Sequence, residues 1–147
     1  MPYLERYALK IGKFWGNFNS LELLIRLYLY RNFNCKKSSL DGEIGDEIDV
    51  SPINNFDTFS QLCDKFNNES GLSLDFSGIL TLRDAMAHGR ISTLDITMPL
   101  TVIKFSKPKN GRVTVETRIE LTDDYLDEIT VSIRSIQSII RGLLNAA

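Results

Sequence analysis

Histidine is almost missing from this chain: His88 is the only one among 147 residues, and two cysteines, Cys35 and Cys63, are its only companions as soft ligands. A tetrahedral zinc centre needs four donors at short, regular spacings, so that chemistry is nearly excluded and no metal or other cofactor is expected. The cysteines form no CxxC pair and are too few for the framework of a small secreted scaffold, which points to a reducing, cytoplasmic compartment. Long apolar runs are missing as well. None reaches the length of a membrane span, and Glu5, Arg6 and Lys10 break up the N-terminal stretch where a signal peptide would be continuously apolar. No membrane partner is expected. A basic excess is also lacking, since the formal net charge is −2. That argues against a protein that coats nucleic acid by charge alone, while leaving room for a local basic patch.

What is present is ordinary for a folded domain. The hydrophobic share of 43% and the charged share of 24% suffice for a core, and the length fits a single domain over 1–147. Phe14, Phe18, Leu21, Ile25, Tyr28 and Leu29 recur at helical spacings and predict a helix from Phe14 to about Asn32. Gly12 and Gly16 weaken its start, so Tyr3–Ile11 reads as a separate turn or a bent extension. Residues 34–55 read as a polar connection. Phe56, Phe59, Leu62, Cys63 and Phe66 then predict a second helix that ends before Gly71. A third is predicted from about Ser73 to His88, on Phe76, Ile79, Leu80, Leu82 and Met86, with Gly89 closing it in a left-handed cap.

After Gly89 the period changes. Val113, Val115, Thr117, Ile119 and Leu121 alternate with Arg112, Thr114, Glu116, Arg118 and Glu120, which predicts a half-buried strand. Leu100–Phe105 precede it, and Asn110-Gly111 supply a strong signal for a tight hairpin between the two. The last helix opens with Thr122 as N-cap and Asp123-Asp124 in its first turn. Its seam of Leu126, Ile129, Ile133, Ile136, Ile140 and Leu143 reads first as intramolecular core, and second as a contact with another copy. The fold class predicted is mainly α: a helical bundle of about four helices, with a β-hairpin inserted before the last.

Acid–base work near neutral pH falls on His88 by default. Asp84 lies one turn earlier on the same helical face, where its carboxylate could orient the imidazole. Arg83 lies five positions before His88, about 140° round an ideal helix, yet its length lets it reach a groove at the helix end. Arg90 adds a cation just beyond. A guanidinium beside an imidazole suits a phosphodiester, because the fork matches phosphate oxygens and the ring can move a proton. Against this stands a plainer account. Histidine in a last helical turn also suits the negative helix end, and Arg83 also serves as a solvated or ion-paired side chain.

The segment Leu82-Arg83-Asp84-Ala85-Met86-Ala87-His88-Gly89-Arg90 resembles the signature of the HEPN superfamily. That signature is an arginine followed by a polar residue, then a histidine after four to six positions. The match covers under a tenth of the chain. What the resemblance implies is a small helical bundle that forms a homodimer, with Arg83 and His88 as catalytic pair and Asp84 as polar support. Many such proteins are metal-independent endoribonucleases of toxin–antitoxin or antiviral systems, so RNA is the implied substrate. An antitoxin or a nucleotidyltransferase is the implied partner. The hairpin departs from the simplest form of that fold. Glu22 is the candidate for an acidic residue contributed by another helix, its plainer role being an i,i+4 pair with Arg26. Asn17 could touch substrate. Lys104, Lys107 and Lys109, with Arg112, are placed around the hairpin tip as an RNA grip or simply as solubilising charge. Two further readings stay open: a non-catalytic HEPN-like nucleotide- or protein-binding module, and a structural or antitoxin-like subunit.

Overall fold

The structure is a computed structural model that describes residues 3–33, 39–93, 95, 96 and 98–146. The architecture is mainly α. Its elements are α1 (Tyr3–Tyr30), a 3-10 turn (Ser39–Asp41), α2 (Phe59–Ser70), α3 (Ser77–His88), β1 (Arg90–Ser92), β2 (Leu100–Phe105), β3 (Val115–Leu121) and α4 (Asp123–Asn145). They divide into two compact units. One comprises Met1–Gly16 and Asp75–Ser132, the other Asn17–Leu74 and Ile133–Ala147. Both α1 and α4 therefore contribute one part to each unit.

In the first unit, α1 begins at Tyr3 and runs unbroken through both glycines, so that of the two expected forms of Tyr3–Ile11 the separate turn is excluded and the extension of the helix is found. Local propensity is overridden by tertiary contacts. Tyr7 is buried, Lys10 Nζ donates to Asp127 at 2.8 Å, and Arg6 pairs with Asp123 at 3.1 Å on the first turn of α4. That turn is capped as expected, with Thr122 Oγ1 accepting from Tyr125 N–H. Ile79, Leu82 and Ala85 form the buried face of α3. Its start falls at Ser77 rather than Ser73, because the Asn67 side chain brackets Leu74 through both its N–H and its carbonyl and holds the backbone there in a loop.

The sheet has three antiparallel strands in the order β1-β2-β3, not two. The expected hairpin is present: Lys109 and Arg112 exchange backbone hydrogen bonds around Asn110 and Gly111, both at positive φ as a primed two-residue turn requires. β1 is the addition. It is three residues long and wholly exposed, so it carries no alternation to read. Leu100, Val102 and Leu121 face the core, while Val113 and Val115, expected on that same face, stand exposed towards the tip.

In the second unit the α1 stripe behaves as predicted, with Phe18, Leu21, Ile25, Tyr28 and Leu29 all buried. Phe18 packs edge-on to Phe59, and Tyr28 edge-on to Phe66. α2 opens on a capping box between Thr58 and Gln61. Phe56 therefore lies before the helix, fully exposed, and does not belong to its stripe. Arg26 pins the preceding loop by donating to the carbonyl oxygens of Pro52, Asn55 and Asp57. Of the expected polar connection over 34–55, residues 34–38, and with them Cys35, lie outside the described residues. Along α4, Leu126, Ile129, Ile133, Ile136 and Ile140 are buried within the chain, as the first of the two expected roles for that seam requires.

Candidate active site

The site is organised by how α3 ends. Gly89 was expected to close the helix in the left-handed conformation, but it is extended, at φ −90 and ψ −174. Its N–H donates to Ala85 O, and the chain passes straight into β1. The reason for glycine is steric. A Cβ at this position would lie 2.4 Å from Ala85 O and 2.9 Å from both Ile103 O and Val102 Cγ2. The last turn of α3 is pressed against β2 at a point where only a hydrogen fits.

This seating brings α3 side chains against a strand. Asp84 Oδ2 accepts from Lys104 Nζ at 2.7 Å, and Asp84 Oδ1 lies 3.8 Å from His88 Nε2. Lys104 also pairs with Glu116 at 3.3 Å. Exposure rises along this row, from 25% at Lys104 through 44% at Asp84 to 61% at His88, so it runs from the sheet outward and ends on the imidazole. The hydrogen bond from Lys104 holds the Asp84 carboxyl below the usual carboxylate range. Partial burial opposes this, and the charges of Lys104, His88 and Arg83 add to it. Arg83 is half-buried, with its Nε enclosed and without a hydrogen-bond partner.

The remaining expected residues scatter. Arg90 is exposed at the start of β1. Lys107 and Lys109 do flank the hairpin turn, where with Arg112 they line an open concavity of about 610 Å³. Lys104 does not belong to that tip. It takes an inward position on β2, two residues after buried Val102, and is committed to Asp84. Glu22 lies in the second unit and accepts from Arg26 at 2.9 Å. Asn17, in the same unit, accepts from Gln137 through its backbone carbonyl. Two further concavities, on the outer sheet face beside Arg118 and in the second unit beside Lys65, are also lined by neither Arg83 nor His88.

The residue that strict alternation misplaced is Glu116. Between the pairs Lys104↔Thr117 and Phe105↔Val115 the register shifts, leaving Glu116 as an extra residue on β3. That bulge turns it to the side of the sheet where Lys104 meets α3. One signal was available: Lys104 follows Leu100 and Val102 at inward parity, and a charge at such a position needs partners. Among the described residues, no three His, Cys, Asp or Glu side chains gather as metal ligands would, and no helix is long and apolar enough to cross a membrane. No protein-family model, curated protein or solved structure matches the chain.

Proposed function

We propose that the chain is a metal-independent endoribonuclease of HEPN type, acting as a cytoplasmic homodimer in a toxin–antitoxin or antiviral setting. The observation that carries this reading is the exposed imidazole at the end of α3, backed by a carboxylate 3.8 Å away that Arg83 also bears upon. His88 Nε2 faces Asp84, which leaves Nδ1 free for substrate. In the reaction His88 takes the proton of a ribose 2′-hydroxyl as its oxygen attacks the adjacent phosphorus. The bond to the 5′-oxygen breaks, and that oxygen takes up a proton from water while the proton held by His88 is given back to the solvent. The products are a 2′,3′-cyclic phosphate and a 5′-hydroxyl. Arg83 offsets the charge that builds on the phosphoryl oxygens. Arg90, Lys107 and Lys109 supply backbone contacts whose contribution falls with salt.

The test compares RNA cleavage by wild type, Arg83→Ala and His88→Ala, with the fold of each checked by circular dichroism. Each variant is expected to lose at least a hundredfold in rate with its helix content intact. Equal background in all three would remove the enzyme. A second reading is favoured by two observations: Asp84 is already engaged by Lys104, and neither Arg83 nor His88 lines the three concavities. It is a non-catalytic module in which the same residues bind a nucleotide or a partner protein such as an antitoxin or a nucleotidyltransferase. Titration with a labelled mononucleotide, giving saturable binding without turnover, would establish it.

A further inference from the structure

Lys104 carries more structure than an RNA-gripping lysine needs. It rises from an inward strand position, reaches two carboxylates on two different elements, and one of them is delivered by an irregularity in β3. A backbone contact to nucleic acid calls for an exposed, mobile cation; this one is tied down. We propose that Lys104 is a positioning residue. Anchored by Glu116, it occupies one oxygen of Asp84 and thereby fixes the other towards His88, setting the charge that the imidazole meets.

The geometry supports each link. The Lys104–Asp84 bond is 2.7 Å, short enough to hold one carboxylate rotamer. With Oδ2 held, Oδ1 is the atom presented at 3.8 Å to Nε2. Glu116, 3.3 Å from Lys104, balances the cation so that Asp84 does not bear it alone. The bulge re-aims Glu116 across the sheet, where a regular strand would place it on the opposite face. The charged groups linked to the imidazole are Asp84 on its own helix and, through Asp84, Arg83 on the same helix and Lys104 on β2, with Glu116 on β3 behind Lys104; Arg90 follows two positions along the chain, on β1. Of these, Asp84 is the group that approaches the ring, at 3.8 Å. The role of Lys104 is thus transmitted through Asp84 rather than made directly.

The inference rests on the nuclease reading only for its catalytic consequence, and its test needs no RNA. Because His88 is the only histidine, one set of imidazole resonances reports its titration by NMR. Lys104→Met keeps the aliphatic stem and removes the charge; the Asp84 carboxylate, no longer offset by its partner, then bears more fully on the ring, and the His88 midpoint should rise by about half a pH unit. Asp84→Asn should lower the midpoint by a comparable amount, and Lys104→Arg should return it close to wild type. The decisive comparison is the double variant. If Lys104 acts through Asp84, its removal moves the midpoint much less in the Asp84→Asn background. An equal shift in both backgrounds, or no shift in Lys104→Met, overturns the proposal. Should Lys104→Met not fold, Lys104→Gln takes its place in the same cycle. If the coupling is found while wild type cuts no RNA, the positioning role stands and the nuclease reading falls.

Discussion

Two helices of 12 residues each, α2 and α3, both stop at a glycine, and they stop for opposite reasons. Gly71 sits at φ +70 with open space around it, so its need is torsional. Gly89 has ordinary extended torsions and no room for a side chain, so its need is steric. The first ends a helix that turns away into a loop. The second ends a helix that is laid onto a strand, and the polar row from Glu116 to His88 exists because of that contact. The sequence reading puts a helix end at both glycines and expects the left-handed cap at Gly89, whereas Gly71 is the one that adopts it; only Gly89 is tied to the candidate chemistry.

Breaking the steric end should have the largest effect. Gly89→Ala forces a methyl into Ala85 O, Ile103 O and Val102, and is expected to destabilise by about 3 kcal/mol, read as a lowered urea midpoint. It should also disturb the His88 resonances. Gly71→Ala places an ordinary side chain in the left-handed region without a clash, so about 1 kcal/mol is expected and the His88 resonances should stay put. Equal losses at both glycines would erase the distinction. Thr58→Ala removes the capping box that starts α2 and should cost about 1 kcal/mol, with no effect on the imidazole.

The smallest expected effect sharpens the same contrast through pH. Asp84 is held below its ordinary value of 3.8, so its share of stability is present above that value and lost as pH falls through the lowered one. Lys104 is raised above 10.5, chiefly by its bond to Asp84, so its share is present below 10.5 and lost as pH climbs through the raised value. The difference in thermal midpoint between wild type and Lys104→Met should therefore be widest from about pH 4 to 10, where both groups are charged, and shrink on either side. Because Asp84 is partly exposed, solvent screening should keep this difference small.

How much of this was legible follows from where each signal resides. The α1 and α4 stripes, the Thr122 cap and the Asn110-Gly111 turn are local patterns, and each was readable residue by residue. The continuity of α1 through Gly12 and Gly16 was not, because it depends on Arg6 and Lys10 meeting Asp123 and Asp127 more than a hundred positions away. β1 was invisible for want of any pattern in three exposed residues. At the site, the i,i+4 relation of Asp84 and His88 was legible from helical spacing. The partnership of Asp84 with Lys104 was not, since it needs the seating of β2 against α3, nor was that of Lys104 with Glu116, which needs the bulge in β3.

The central claim, that His88 and Arg83 act on a phosphodiester through the neighbouring ribose hydroxyl, is tested most directly with a short RNA cut by the wild-type chain and re-synthesised with a single 2′-deoxy nucleotide at the scissile position. Cleavage at that bond should stop while neighbouring bonds remain susceptible, and the products of the unmodified RNA should carry 2′,3′-cyclic phosphate ends. Undiminished cleavage of the deoxy-substituted bond would contradict it.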